Sequence, residues 1–280
     1  MKHEISEGML AIFRKKMMEE EKAAATVEKY TRDVGAFLKY AEDSGGVDKE
    51  LVLTYKSSLA EKYTPVSVNS MLAALNCFFK KTGWFDCTVK LLKIQKESFR
   101  AQEQELSKSE YLRLLGAAKD QKNERMYLVM ETICSTGIRV SELKFITVEA
   151  LESGRAQVAL KGKTRTVLLP SALRKKLRTY VKEKEIRSGS IFITRTGKPM
   201  DRSNICHAMK ALCEKARVAK EKAFPHNLRH LFACTFYKVK KDLSRLADVL
   251  GHSNVNTTRI YTLVSGKTQM KQIESLGIVT

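Results

Sequence analysis

The 280-residue sequence is short of the residues that punctuate and staple chains, with 4 Pro, 14 Gly and a single Trp. That scarcity excludes collagenous and low-complexity classes, and 43% hydrophobic residues describe an ordinary globular protein. The six Cys (Cys77, Cys87, Cys134, Cys206, Cys213, Cys234) are scattered with no C-x-x-C pair. This argues against a disulfide framework and against a zinc finger, and leaves reduced core thiols as the expectation. No apolar run is long enough to span a bilayer, and residues 1–30 are too charged for the apolar centre of a secretory signal. The expected setting is therefore the cytoplasm, without a membrane partner. A repeat period, a metal-ligand cluster and a Gly-rich phosphate loop are also missing; Gly137, Gly162 and Gly251 stand in unrelated contexts, so nucleotide hydrolysis has no visible machinery.

What is abundant is positive charge. Lys and Arg number 51 against 31 Asp and Glu, a formal net charge of +20, so the partner to consider first is a polyanion, either nucleic acid or an anionic membrane. The excess is unevenly placed. Residues 1–103 hold 17 basic and 15 acidic side chains, whereas residues 104–280 hold 34 and 16. Between the two parts runs the polar stretch KIQKESFRAQEQE, which lacks apolar periodicity and precedes a helix start where Ser107 caps and Glu110 reaches back. Three segments are thus expected: a helical domain over 1–93, a linker over 94–105, and a second domain over 106–280.

The first segment reads as a bundle of four or five helices. Val27, Tyr30, Val34, Phe37, Leu38 and Ala41 recur at three- and four-residue steps before Gly45-Gly46. Thr64-Pro65 then supplies a cap and a first-turn proline for a second amphipathic run that ends near Gly83. Basic residues dot its faces, and for Lys80 and Lys81 a solvated face and a phosphate contact are both open. The second segment mixes elements: helices over Tyr111–Ala118 and Met126–Ser135, then period-two alternation in AQVAL and RTVLL around Lys161-Gly162-Lys163-Thr164. This predicts a β-hairpin with a basic tip, a short strand at Ile191-Phe192-Ile193, and helices from Asp201 onward. The fold class is accordingly mainly α with a small β-sheet, an α+β chain.

Phosphodiester chemistry without a metal needs cations for the non-bridging oxygens, a nucleophile, and an acid for the leaving oxygen. The basic segment holds residue types for each. Arg139 follows a glycine turn in TGIRVSEL, where a lone Arg is most often a surface ion pair, and Glu142 stands on the same face to fix it or a neighbouring His. His226 and Arg229 in PHNLRH lie three apart at a helix N-terminus that itself favours anions, while His230 reads better as a buried packing group. LGHSN ends a helix with Gly251 and presents His252; nine residues on comes Tyr261, one of nine Tyr, a residue type that usually packs half-buried.

TGIRVSEL, the hairpin KGKTRTVLLP, HNLRH and LGHSNVNTTRIYT, in that order and at these separations, together resemble the catalytic domain of the tyrosine recombinase (phage integrase) family. The resemblance runs from Leu106 to Leu263 by motif. The first segment is similar to that family's helical core-binding (SAM-like) domain by position and pattern only. The resemblance implies that Tyr261 attacks a DNA phosphate to leave a 3′-phosphotyrosyl bond and a free 5′-hydroxyl, and that strand exchange reverses the step on a partner strand. It implies that Arg139 and Arg229 hold the scissile phosphate, that His226 is the general base, and that His252 is a further donor to the phosphate. Glu142 is placed as their support, and Lys163, Arg165, Lys80 and Lys81 as contacts to DNA.

The lysine that protonates the leaving oxygen lies on the hairpin, whose tip is one residue short of the common pattern. Lys161 is the first choice, directly before the turn glycine, and Lys163 is its rival. No metal and no ATP are implied, since the bond energy is kept in the protein–DNA ester. Four protomers on two double-stranded DNA sites are implied, with the tail over Lys267–Leu276 as a docking element or an internal one. The length matches compact, Xer-like members without an arm-binding domain, acting in the cytoplasm on the nucleoid in integration or excision of a mobile element, inversion or dimer resolution. Two other readings compete: a type IB topoisomerase-like enzyme working without synapsis, and a DNA-binding regulator with a dead site. A membrane-surface binder is disfavoured because the basic residues form no single amphipathic stripe.

Overall fold

The computed structural model describes residues 2–94, 105–160, 163–252, 254–261 and 274–275, with the backbone alone at 160 and 163. The chain divides into two compact units, Met1–Lys96 and Glu97–Thr280. Among the described residues no helix is long and apolar enough to cross a membrane.

The first unit is helical: α1 (Met9–Glu19), α2 (Ala24–Ala41), α3 (Lys49–Lys62) and α4 (Pro65–Thr82). Proline at the first position of α4 and Gly83, at φ 82°, after its last turn delimit that helix as the sequence predicts. Its core is aromatic, with Phe13 edge-on to Phe78 and Phe37 edge-on to Phe79. Asn69 and Asn76, two turns apart on α4, each exchange a pair of hydrogen bonds with the backbone of Leu92 and Val89. The segment leaving the bundle is thereby tied to α4 in place of a strand partner. His3 stacks on Trp84 and bonds Asp86 at 2.8 Å, fixing the first residues of the unit to the same end.

The second unit opens with α5 (Lys108–Asp120), whose capping box between Ser107 and Glu110 forms as the sequence predicts. It continues through α6 (Glu124–Thr136), a 3₁₀ segment Val140–Phe145, α7 (Val148–Ser153), strands β1 (Arg155–Leu160) and β2 (Lys163–Leu168), α8 (Ser171–Glu183), α9 (Arg202–Ala211), α10 (Cys213–Ala216), α11 (Pro225–Lys240) and α12 (Leu243–Leu250). Met126, Met130 and Ile133 on α6 and Leu228 on α11 share one buried core, so these two helices form the spine of the unit. The two strands are the sheet.

Two expectations change. The hairpin is tighter than its charge pattern suggests: Leu160 pairs with Lys163 and Ala159 with Thr164, so Lys163 and Thr164 belong to β2 and the connection is two residues long. Thr is a β-branched strand former, and its place between Lys163 and Arg165 disguised it as turn. Ile191 and Phe192 are buried and Ile193 is half-buried, but the run joins no ladder. Single bridges stand at its ends, from Ser190 just before it to Thr147 and from Ile193 to Pro199, and its apolar run reflects core contact rather than strand pairing. The linker expectation falls largely on residues 95–104, and the tail expectation on residues 267–273 and 276, outside the described residues.

Candidate active site

Three helix ends converge on the candidate residues. α6 stops at Gly137, whose φ of 64° suits glycine, and a Cβ there would press into Phe232 on α11. This close approach brings the Gly137 carbonyl within reach of Arg229. α12 stops at Gly251, also at φ 64°, where a Cβ would collide with the Arg165 side chain from β2. α11 starts at Pro225 and places His226 and Arg229 one turn apart.

Arg139 is itself the N-cap of the 3₁₀ segment. Its backbone N–H and its Nη1 both donate to Glu142, at 2.9 and 3.0 Å, and its Nη2 donates to the Gly251 carbonyl at 3.3 Å. Glu142 is 2% exposed and also receives Nη2 of Arg165 at 2.5 Å. Burial alone raises a carboxyl pKa; here the hydrogen bonds from Arg165 and Arg139 outweigh it and hold Glu142 below the ordinary range. One carboxylate thus fixes two guanidinium groups. Arg165, expected as a DNA contact, is held in this clamp, and its Nη1 also donates to the Val249 carbonyl at 2.8 Å.

Arg229 is 3% exposed and donates to the carbonyls of Gly137 and Leu250, the latter at 2.8 Å. Burial first, and then the Arg139 charge, push its pKa down to about 10, so it remains a cation at neutral pH. Its Nη2 also lies 3.0 Å from Nε2 of His252. A guanidinium only donates, so His252 Nε2 must accept, and the ring proton sits on Nδ1, which donates to Thr258 Oγ1 at 2.9 Å. Burial, followed by the charges of Arg229, Arg139 and Arg165, lowers the His252 pKa to about 4, in keeping with a neutral ring.

Tyr261 closes the chain of contacts. It is 5% exposed, packs with Ala233, Leu246 and Leu250, and lies with its ring 6.3 Å from that of His252 in a stacked arrangement. On its other side His230 sits 5.1 Å away, with its Nε2 3.7 Å from Glu105. The sequence reading of His230 as a packing group missed this proximity. The two residues are far apart in sequence, and the helix phase of His230 was the one available signal.

An open cavity of about 250 Å³ is lined by Arg139, Ser141, His226 and Arg229, and by a residue the motifs did not single out, Arg202 at the start of α9. Arg139, Glu142, Arg165, His226, Arg229, His252 and Tyr261 are therefore one constellation. Lys161 lies outside the described residues, as does the side chain of Lys163. Lys80 and Lys81 stand in the last turn of α4 in the first unit; Lys81 is ion-paired with Glu20, whereas Lys80 is exposed. The site so built offers fixed cations to an anion and a phenol beside them, a set suited to a nucleophilic displacement at phosphorus.

Residues 104–267 match the phage integrase family. Tyrosine recombinase XerA of Pyrococcus furiosus is 26% identical over 268 residues, covering 93% of this chain and 91% of that protein. Tyrosine recombinase XerD of Staphylococcus saprophyticus is 34% identical over 154 residues, 52% of either chain. Among solved structures, XerA recombinase superposes with a TM-score of 0.53 at 25% identity over 97% of this chain and 98% of that one. A lambda integrase dimer bound to a core site superposes with a TM-score of 0.74 at 14% identity, covering 91% and 76%.

Proposed function

Because the chain belongs to the phage integrase family, whose match takes in more than half of its length, we propose that its chemistry runs through Tyr261 at the cavity lined by Arg139, His226 and Arg229. The protein is a site-specific DNA recombinase of the tyrosine type, an enzyme that cleaves and rejoins double-stranded DNA through a 3′-phosphotyrosyl intermediate. The observation that carries the residue assignment is the unbroken run of contacts from the Tyr261 ring through His252 and Arg229 to the cavity that Arg139 also lines.

In the proposed step the Tyr261 oxygen attacks phosphorus and gives its proton to His226. The bond to the 5′ oxygen breaks, and that oxygen takes a proton from the hairpin, from Lys161 or its rival Lys163. Arg139 and Arg229 grip the two non-bridging oxygens with planar forks whose charge is permanent. Both forks are already held, by Glu142 and by main-chain carbonyls, so little reorganisation accompanies charge development on the phosphate. His252, neutral and with Nε2 directed at Arg229, becomes a donor to the phosphate once the incoming negative charge raises its pKa.

We extend the proposal to assembly and setting: four protomers across two DNA sites, acting in the cytoplasm on the nucleoid in integration or excision, inversion or resolution. The charge split along the chain supports DNA engagement carried chiefly by the second part, and Lys80 is the proposed phosphate contact of the first.

Covalent trapping tests the assignment. The wild-type protein and Tyr261→Phe are incubated with fragment libraries nicked near candidate cleavage points, followed by denaturing gels and peptide mass mapping. An adduct on Tyr261 that disappears in Tyr261→Phe, with duplex binding retained, is the expected result; an adduct persisting in the variant overturns it.

A further inference from the structure

Arg202 is the one cation lining the candidate cavity that the motifs leave unused. Arg139 and Arg229 are both committed, one to Glu142 and the other to the carbonyls of Gly137 and Leu250, whereas Arg202 makes no hydrogen bond or ion pair with any described residue. The carboxylate nearest in sequence does not neutralise it. Asp201 caps α9, accepting from the Asn204 N–H at 2.8 Å, while Asn204 Oδ1 accepts from the Asp201 N–H at 3.1 Å.

A free guanidinium at the first position of a helix also stands against the helix dipole, which favours anions there, so the fold gains nothing from a cation at this point. The cavity's other cations already meet the charge of one phosphate. Arg139 and Arg229 line the cavity and Arg165 joins Arg139 on Glu142 behind it, so with Glu142 as the counter-charge the three leave two net positive charges beside the proposed seat of the non-bridging oxygens. An additional exposed cation on the same rim has no role at that phosphate and is suited to the next one along the strand.

Resting on the reading of this cavity as the seat of the scissile phosphate, we infer that Arg202 holds a second backbone phosphate of the same DNA strand, adjacent to the scissile one. It thereby fixes the strand's register over Tyr261. A phosphate contact from an exposed, unbraced side chain needs charge and reach but not a fork, so lysine serves there as arginine does.

The test uses the full chain and a short duplex of arbitrary sequence, with affinity followed over about 50 to 200 mM salt. Arg202→Ala is expected to lower the slope of log affinity against log salt by about 0.9, and Arg202→Lys to keep the wild-type slope. Arg139→Ala, which removes a contact to the scissile phosphate, is expected to lower it too, and the double variant to lose the sum of both. An unchanged slope in Arg202→Ala beside a lowered one in Arg139→Ala overturns the inference alone. Unchanged slopes in both overturn the reading of the cavity. A double variant no different from Arg139→Ala places both arginines on one phosphate and overturns the inference. Thermal unfolding of each variant, unchanged from wild type at position 202, separates these results from misfolding.

Discussion

Replacing Glu142 by Gln keeps the volume of the side chain and removes its charge. The carboxylate accepts from the Arg139 N–H and from Arg165 through one oxygen and from Arg139 Nη1 through the other. With glutamine, the amide oxygen takes the side where two donors meet, and the NH₂ group is turned toward Arg139 Nη1, donor against donor. One charge-assisted bond is lost outright and the one to Arg165 falls to a neutral acceptor, each change worth about 1.5–3 kcal/mol at most. Breaking a buried pair at one partner costs about 3–5 kcal/mol, and the half-open setting of Arg139, 39% exposed, selects the low end, about 3 kcal/mol. For a unit of this size that is a fall in Tm of roughly 6–12 °C, read by calorimetry near neutral pH.

The same variant carries a pH signature. Glu142 is held below its ordinary value of 4.5, so its contribution is present above that value and is lost as pH falls through the lower folded-state value. Wild type and Glu142→Gln should therefore converge in acid. A Tm difference under about 2 °C near neutrality, or one that stays constant into acid, refutes the clamp.

His252 gives the same sign in a higher window: its folded-state pKa of about 4 lies below the unfolded value of 6.5, so its contribution is complete above 6.5 and drains away toward 4. Between about pH 7 and pH 5 the urea midpoint of wild type should fall further than that of His252→Gln, and parallel curves count against a buried neutral ring. Gly251→Ala should be more destabilising than Gly83→Ala, because both have positive φ but only the first puts a Cβ against another side chain, that of Arg165; equal losses, each about 1 kcal/mol, mean that the contact yields freely. Arg139→Lys should slow single-turnover cleavage about 10²-fold or more while duplex affinity changes little, and near-normal cleavage removes its fork from the mechanism.

The helices of the first unit and the stop and start signals around Gly137, Pro225 and Gly251 were legible because each depends on neighbours in sequence: a cap, a proline, a left-handed residue. The candidate residues were legible as four short motifs in order. What escaped is tertiary. That Glu142 serves Arg165 as well as Arg139 follows from a hairpin folding back over the 3₁₀ segment, 23 residues away. His230 beside Tyr261 and Arg202 at the cavity rim depend on which way α11 and α9 turn within the core, a phase that local periodicity does not set. The hairpin register was lost to composition, since charge suggested a turn where the backbone continued to pair.

Arg229 is moored to peptide carbonyls at Gly137 and Leu250. Any amino acid presents that same acceptor, so substitution at a mooring point changes the side chain and spares the bond. Heritable drift around the site is thereby decoupled from the position of its central cation, and is checked mainly where backbone conformation demands glycine or a helix must end on time. Directed evolution of target preference can accordingly randomise the remaining surroundings of Arg229 broadly, provided that Gly137, Gly251 and the side chains of the constellation itself are left alone.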